Sequence, residues 1–300
     1  MHPLSDIERQ RIRIALIEDV GREDITSLAT IDPEAEGIGT FLAKADGVLA
    51  GTDVARQTFL LYEVLHGLSS PIFEFDTTLE DGQTVHAGDV IVSVRAQLRT
   101  LLAAERVALN FLQRMSGIAT MTNAFVQAIA GTGATILDTR KTAPLLRPFD
   151  RYAVRMGGSM NHRYSLADMV LVKDNHIAAN GGDIRSVISK LREFFADPKR
   201  ERVPVEIEVT SLEQFEDVLR YGSGIIDRVL FDNFEVGKLL DAVQLNHGIF
   251  ETEASGGITL ETARAIAETG VNFLSVGALT HSVRALDISL EIETTKALIP

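Results

Sequence analysis

The chain has 300 residues, of which 45% are hydrophobic and 24% are charged, and its formal net charge is −13. This composition predicts a folded protein of one large or two ordinary domains and excludes a disordered chain. The absence of cysteine excludes disulfides, thiolate metal sites and cysteine nucleophiles, and the acidic balance argues against a surface built to bind nucleic-acid phosphates.

The N-terminal stretch MHPLSDIERQRIRIAL lacks the uninterrupted apolar segment of a secretory signal. No apolar run elsewhere reaches the roughly 18 to 20 residues that span a bilayer. We therefore expect a cytoplasmic protein that binds neither a membrane nor nucleic acid.

The first third of the sequence predicts a mixed α/β domain. Apolar residues recur at helical spacing from Ser5 to Val20, and Ser5 is a plausible N-cap for this helix. Between Gly37 and Val94, short apolar segments such as GTFLAKADGVLAG, PIFEFDTTL and DVIVSVRA alternate with Gly and Asp turns. This pattern predicts a small sheet joined by hairpins, with a helix from Val54 to Leu65. We assign residues 1–115 to this domain.

Helical spacing returns from Arg99 to Ile129, and the pair Ser116-Gly117 predicts a break between two helices. We place the domain junction there. Beyond it, six strand-like runs follow, most of them separated by helical patterns: ATILDT, MVLVKD, VPVEIEV, DRVLFD, IFETEAS and NFLSVGA. This alternation predicts parallel β/α units over residues 116–282. A final helix over residues 283–300 is expected to pack on the N-terminal domain.

A polar or charged residue stands where each of the six runs ends, namely Asp138, Lys173, Glu208, Asp232, Ser255 and Ser275. In a β/α barrel these ends converge on one face, where the active site lies. Six runs are too few for the usual eight-stranded barrel, so we expect an incomplete barrel. An open doubly wound sheet is the alternative.

Positive charge is concentrated between Asp138 and Ile177, a stretch with seven Lys or Arg and two His in an acidic chain. Five of these cations follow strand-like or turn-like segments: Arg140, Lys141, His162, Arg163 and Lys173. Together they could surround one small ligand that carries carboxylate or phosphate groups. Surface salt bridges with neighbouring Asp residues are the alternative. The pair Gly157-Gly158 would let the backbone approach such a ligand, or it would form a plain turn.

Carboxylates and glycine-rich loops complete the predicted site. Glu206 and Glu208 alternate in VEIEV and share one strand face, and Asp232 ends the following strand. Carboxylates at adjacent strand ends could hold a Mg²⁺ ion that carries a phosphorylated substrate, or they could pair with the basic cluster. Two consecutive loops predict a phosphate cradle, Ser255-Gly256-Gly257 and Val276-Gly277-Ala278.

Ten segments of the sequence resemble the quinolinate phosphoribosyltransferase family: EDVGREDITS, ERVALNFLQRMSGIAT, LDTRKT, RYAVRMGG, NHR, DMVLVKDNHI, VEIEV, LFDNF, EASGGI and SVGALTHS. The resemblance implies that quinolinate and phosphoribosyl pyrophosphate react with Mg²⁺ present to give nicotinate mononucleotide, pyrophosphate and CO₂, a step of NAD biosynthesis. It implies an α/β fold with an N-terminal α/β sandwich and a C-terminal open β/α barrel of the type II phosphoribosyltransferase kind. It also implies a homodimer, and leaves open whether dimers assemble further.

The resemblance assigns roles to individual residues. Quinolinate would be bound by Arg140, His162, Arg163 and Lys173, with Arg106 donated by the other subunit. Phosphoribosyl pyrophosphate and the metal would contact Lys141, Glu208 and Asp232, which are the expected catalytic residues, with Glu208 and Asp232 as metal ligands. Thr139 is expected to bind substrate, Asp174 and Asn175 border the site, and the sugar 5-phosphate would lie on Ser255, Gly256, Gly257, Val276, Gly277 and Ala278.

The sequence departs from the family pattern at Leu145 and Ser159, where glycines are usual, and at Glu23-Asp24, where a Gly-Asp pair is usual. None of these positions carries an assigned catalytic charge. Three other functions stay open at this stage. A related pyrophosphorylase acting on nicotinate would need fewer cations. A non-catalytic sensor of phosphorylated ligands would bind phosphoribosyl pyrophosphate without releasing pyrophosphate. A polynucleotide-binding role is disfavoured by the acidity and by the absence of tryptophan.

Overall fold

The computed structural model describes residues 4–67 and 74–295. The chain divides into two compact units. The N-terminal unit takes residues from 1–123, 142–158 and 282–300, and the barrel unit takes 124–141 and 159–281. The N-terminal unit thus includes residues 142–158, which lie within the predicted second domain.

The N-terminal unit contains a four-stranded antiparallel sheet with the order β12-β1-β5-β3. Its strands are β1 (Glu36–Ala43), β3 (Glu74–Thr77), β5 (Val90–Gln97) and β12 (Ile288–Thr294), with a separate pair of β2 (Gly47–Val48) and β4 (Thr84–Val85). Residues 71–73 of the predicted strand PIFEFDTTL lie outside the described residues. In strand β1, buried and less buried residues alternate from Glu36 to Ala43, and Phe41 and Ala43 are fully buried. The period of two places those side chains in the core.

Four helices of the described residues lie wholly within the N-terminal unit. They are α1 (Asp6–Val20), α2 (Ile25–Thr30), α3 (Thr52–Leu65) and α5 (Arg147–Met156). Ser5 caps α1 as predicted, because its hydroxyl accepts the Glu8 amide while the Glu8 carboxylate accepts the Ser5 amide. The predicted helix from Val54 to Leu65 corresponds to α3.

The helix expected over residues 283–300 is wrong for the stretch that the structure describes as β12. This stretch, ISLEIET, alternates apolar and polar residues and is rich in β-branched side chains, both of which favour a strand. It pairs antiparallel with β1, with Leu290 opposite Phe41. Residues 296–300 of the expected helix lie outside the described residues.

The predicted break at Ser116-Gly117 is also wrong, because one helix, α4 (Leu98–Ala128), runs through it. Glycine disfavours a helix interior by about 1 kcal/mol, yet here it permits a close contact. A Cβ at Gly117 would lie 2.1 Å from the carbonyl oxygen of Arg284. The Ser116 hydroxyl accepts the Ala50 amide at 3.1 Å. Both residues therefore serve packing.

The barrel unit contains six parallel strands, β6 (Thr135–Leu137), β7 (Val170–Val172), β8 (Val205–Val209), β9 (Arg228–Asp232), β10 (Glu251–Ser255) and β11 (Phe273–Ser275). Its helices are α6 (Asp174–Ala178), α7 (Ile184–Ala196), α8 (Leu212–Tyr221), α9 (Val236–Asn246), α10 (Leu260–Ala267) and α11 (Ala278–His281). These strands correspond to the six predicted runs, and the residues that end the runs lie at their carboxyl ends.

The sheet of the barrel unit has the order β6-β11-β10-β9-β8-β7. Strands that are consecutive in the chain are neighbours throughout, except that β6 and β7 lie at opposite edges. The winding direction does not reverse, so the doubly wound alternative is wrong and the incomplete barrel is confirmed. No helix in the described part of the chain combines the length and apolar composition needed to cross a membrane.

Leu145 adopts a left-handed backbone conformation, with φ of 66°, and its side chain is 64% exposed. A residue with a Cβ pays about 1 to 2 kcal/mol for this conformation. Leu145→Gly is expected to raise the free energy of unfolding by up to about 1 kcal/mol, since the greater freedom of glycine in the unfolded chain offsets part of the gain. Urea denaturation of both proteins measures this change in the free energy of unfolding. Leu240→Gly, within α9, is the matched control and should lower the free energy of unfolding. An equal decrease in both variants would contradict backbone strain at Leu145.

Candidate active site

A cavity of about 440 Å³ opens at the carboxyl ends of the barrel strands. Its lining residues are Thr139, Arg140, Lys141, His162, Arg163, Leu171, Lys173, Glu208, Leu230, Asp232, Glu253, Ser255 and Ser275. Nine of these were predicted to bind substrate or metal. The structure therefore brings the basic cluster and the two carboxylates together in one cavity, as barrel geometry requires.

Two guanidinium groups, those of Arg140 and Arg163, line the cavity and interact electrostatically. Burial and the positive charge of Arg140 both lower the pKa of Arg163 from its ordinary value. Arg163 Nη1 donates to the carbonyl oxygen of Met169 at 3.0 Å, which holds this side chain in place. Like charges held near each other make the cavity attractive to an anion.

The carboxylates at the ends of β8 and β9 each have a polar neighbour. Lys173 Nζ donates to Glu208 Oε2 at 2.5 Å. Asp232 Oδ1 accepts from the Ser255 hydroxyl at 3.2 Å, and Asp232 Oδ2 accepts from Asn233 Nδ2 at 2.8 Å. Two carboxylates on adjacent strand ends fit Mg²⁺, which takes few protein oxygens and leaves its other positions to water or phosphate.

A buried ionic layer lies against the cavity and involves His162, Glu206 and Glu253. His162 Nε2 is 3.1 Å from Glu206 Oε2 and 3.4 Å from Glu253 Oε1, and both glutamates are fully buried. Burial lowers the pKa of His162, but the two carboxylates outweigh this effect and raise it to about 9. Burial and the nearby Glu253 charge raise the pKa of Glu206 above its ordinary value. The two carboxylates therefore favour the protonated imidazole, whereas the Arg163 amide, which donates to Nδ1 at 2.7 Å, favours the neutral ring.

Asp138 holds the backbone of the loop that carries His162. Its Oδ1 accepts the His162 amide and its Oδ2 accepts Asn161 Nδ2, each at 2.7 Å. Asp138 is fully buried. Asp138 therefore orients this loop through hydrogen bonds. It follows β6 as the other strand-end residues follow their strands, but it is not among the residues that line the cavity.

The two glycine-rich loops follow cavity residues Ser255 and Ser275. Gly256 has φ of 97°, and a Cβ there would lie 2.1 Å from Asn233 Oδ1, so a side chain is excluded. A Cβ at Gly277 would lie 3.2 Å from Lys141 Cδ. The side chain of Val276 is buried and its amide donates to the carbonyl of Leu137, whereas Ala278 begins α11. Phosphate binding by Gly256, Gly257, Val276, Gly277 and Ala278 stays a prediction.

Some predicted site residues lie outside the cavity lining, and two polar lining residues were missed. Arg106 is exposed on α4 in the N-terminal unit, while Asp174 and Asn175 begin α6. Glu253 and Ser275 line the cavity without having been assigned a role. The alternation of Glu251, Glu253 and Ser255 in β10 is the same signal that singled out the glutamates of VEIEV.

The pair Gly157-Gly158 forms a helix end. It follows α5, and a Cβ at Gly157 would lie 2.5 Å from Thr122 Cβ. This favours the plain turn over a backbone approach to a ligand.

The fold and the cavity define an incomplete β/α barrel protein whose cavity carries a cluster of basic side chains. The sequence matches the family models for the quinolinate phosphoribosyl transferase N-terminal domain over residues 24–116 and C-terminal domain over residues 118–291. The chain belongs to the quinolinate phosphoribosyltransferase family, and its fold is that of a type II phosphoribosyltransferase.

Individual relatives agree with this assignment over most or all of their lengths. The chain is 44% identical to the chloroplastic, carboxylating nicotinate-nucleotide pyrophosphorylase of Oryza sativa subsp. japonica, covering 99% of this chain and 80% of the relative. It is 44% identical to the carboxylating enzyme of Mycobacterium leprae, covering 96% and 98%. The crystal structure of NadC from Streptococcus pyogenes, 35% identical, superposes with a TM-score of 0.88 over 99% of this chain and 100% of that one.

The departures from the family pattern are accommodated locally. The Ser159 hydroxyl donates to the carbonyl oxygen of Ile136 in β6. Beside Glu23, Asp24 matches the family pattern and caps α2, because its Oδ1 accepts the amides of Thr26 and Ser27, each at 3.1 Å. Only Leu145, among these three places, carries backbone strain.

Proposed function

We propose that this chain transfers the phosphoribosyl group of phosphoribosyl pyrophosphate to quinolinate with decarboxylation, giving nicotinate mononucleotide, pyrophosphate and CO₂ in NAD biosynthesis. The single observation that carries the proposal is the cavity itself, which combines five cationic side chains with two carboxylates at the strand ends. The family membership supports the same reaction.

Quinolinate carries two carboxylates on adjacent ring carbons, so its site must supply several fixed positive charges. Arg140 and Arg163 are planar donors suited to in-plane carboxylates, and His162 and Lys173 add further positive charge. Lys173 pairs with Glu208 in the structure described here. We infer that a substrate carboxylate or the metal competes for this ion pair when the site fills.

The pyrophosphate leaving group is a polyanion, and its departure from the ribose C1 builds positive charge on the sugar. Glu208 and Asp232 would hold Mg²⁺, which when bound supplies charge stabilisation to the diphosphate oxygens. Lys141 would add a positive charge beside that group, and the loops at Gly256 and Gly277 would position the 5-phosphate. The protein then contributes mainly alignment and preorganised charge.

The chemistry of decarboxylation resides in the substrate. Once the ring nitrogen has bonded to C1, the pyridinium ring can accept the electron pair released as the adjacent carboxylate leaves as CO₂. A proton then replaces CO₂ on the ring carbon. The proposal therefore assigns no side chain as a covalent nucleophile.

We further propose a homodimer in the cytoplasm, in which each subunit donates Arg106 to the site of its partner. The side chain of Arg106 is 58% exposed on α4, and its nearest acidic group is Glu105 Oε1 at 3.8 Å. An exposed cation with so loose an ion pair is available to a substrate carboxylate. Relatives from plants carry chloroplastic or mitochondrial names, so the location of this chain needs its own measurement.

One assay tests the reaction. Purified protein is incubated with Mg²⁺, phosphoribosyl pyrophosphate and quinolinate labelled in the carboxyl group next to the ring nitrogen, and nicotinate mononucleotide, pyrophosphate and labelled CO₂ are measured. We expect all three in equal amounts and their loss on chelation of Mg²⁺. If nicotinate, supplied in place of quinolinate, is turned over without CO₂ release, the related pyrophosphorylase is favoured. Binding of phosphoribosyl pyrophosphate without pyrophosphate release would favour the sensor.

A further inference from the structure

We propose that Glu253 is a positioning residue for quinolinate binding, because its carboxylate, clamped between Ser275 and Arg228, fixes the imidazole of His162 in the cavity. This inference rests on the proposed function, in which His162 contacts the substrate. Glu253 itself is assigned to no substrate and no metal.

The carboxylate of Glu253 is held from both neighbouring strands. Glu253 lies in the middle of β10 and is fully buried. Its Oε1 accepts from the Ser275 hydroxyl in β11 at 2.5 Å, and its Oε2 accepts from Arg228 Nη1 in β9 at 3.0 Å. With one oxygen bound on each side, the carboxylate cannot rotate without breaking a buried hydrogen bond, which is costly.

Arg228 is itself fixed, so the clamp does not depend on a mobile side chain. Its guanidinium lies over the ring of Phe273, 3.9 Å from the centroid. Its Nη2 donates to Glu251 Oε2 at 2.8 Å. An arginine that stacks on a ring and bonds two carboxylates has little rotational freedom.

His162 connects this clamp to the cavity. Its side chain is 7% exposed and lines the cavity, while its Nε2 faces Glu253 Oε1 at 3.4 Å and Glu206 Oε2 at 3.1 Å. Asp138 holds the backbone amide of the same residue. Asp138 therefore anchors the backbone of His162, while the imidazole is held at two points. Its Nδ1 accepts the Arg163 amide at 2.7 Å, and Glu253 acts on the ring orientation at Nε2.

Glu206 has a different character, although its Oε2 lies nearer to the imidazole than Glu253 Oε1 does, at 3.1 Å against 3.4 Å. Within the described residues, neither oxygen of Glu206 is held by a hydrogen bond from a second side chain, and its close contact in the layer is the ion pair with His162. A carboxylate with no other anchor supplies charge but little orientation. The positioning role thus falls to Glu253.

A double-mutant cycle tests the proposal. The proteins are the wild type, Glu253→Gln, His162→Ala and the double variant, and the measurements are kcat, KM for each substrate and the calorimetric affinity for quinolinate. We expect Glu253→Gln to raise KM for quinolinate about tenfold, with kcat and KM for phosphoribosyl pyrophosphate nearly unchanged. In the His162→Ala background the same substitution should change KM less than about twofold, because its effect passes through the imidazole.

Two further variants keep the test decisive. Ser275→Ala removes one hydrogen bond to Glu253 without changing the charge of Glu253, and should raise KM for quinolinate by a smaller factor than Glu253→Gln does. If Glu253→Gln does not fold, Ser275→Ala tests the positioning role in its place. Glu216→Gln, at an exposed glutamate of α8 that takes no part in the clamp, is the matched control and should leave KM unchanged.

An unchanged quinolinate KM in folded Glu253→Gln or Ser275→Ala, or an equal effect of Glu253→Gln in both backgrounds, would overturn the positioning role. A wild-type protein that releases no CO₂ from quinolinate would instead refute the proposed function, so the two failures are distinct.

Discussion

Lys141→Ala is expected to reduce kcat/KM by about 10²- to 10³-fold, the loss typical of removing one preorganised charge that stabilises a transition state. Lys141 follows β6 and lines the cavity, and it is the cation that we assign to the leaving pyrophosphate. A neutral alanine leaves the developing negative charge of that group without this partner. Steady-state kinetics with saturating Mg²⁺ measure the loss.

The fold should tolerate the Lys141 substitution. The Lys141 backbone is held independently of its side chain, because its amide donates to Thr139 Oγ1 at 3.1 Å and its carbonyl accepts from Thr280 Oγ1 at 2.9 Å. Thermal melting should therefore match the wild type. Lys190→Ala, an exposed lysine on α7, is the matched control and should keep full activity. Activity of folded Lys141→Ala within twofold of wild type would refute the assignment.

The second large effect is expected for Asp232→Asn, which keeps the size of the side chain and removes its charge. Mg²⁺ prefers charged oxygen ligands, so the amide should weaken metal binding and lower kcat/KM by about 10²-fold. The Mg²⁺ concentration that gives half-maximal activity should rise. Calorimetric titration of Mg²⁺ with pyrophosphate present provides a readout that does not depend on turnover.

A matched control is available for Asp232→Asn on the following helix. Asp241 is exposed on α9, and Asp241→Asn should leave both the Mg²⁺ titration and the turnover unchanged. A Mg²⁺ titration of Asp232→Asn that coincides with the wild-type curve would exclude this carboxylate as a metal ligand. In that case the role of Asp232 would be limited to contacts within the protein, such as the hydrogen bond that it accepts from Asn233 Nδ2.

The sequence alone determined the six strands of the barrel unit and the side chains at their ends. Apolar runs of the right length, each ending in a polar residue, follow from local patterning, and parallel strands bring such ends to one face whatever the details of packing. Arg140, Lys173, Glu208 and Asp232 could therefore be placed in one cavity before any coordinates were known. The resemblance of the motifs to the family added the reaction.

The tertiary structure alone decided which residues contact across the barrel. Whether Glu253 meets His162 depends on strand order and register, which no local pattern encodes. Gly117 is required within α4 because the carbonyl of Arg284, distant in sequence, packs against it. The segment Ile288–Thr294 likewise forms a strand by pairing with the edge of β1. Local sequence specifies the spacing of apolar residues and the charge of each segment. Long-range contacts determine which segments pack together, because packing energy depends on residues far apart in the chain.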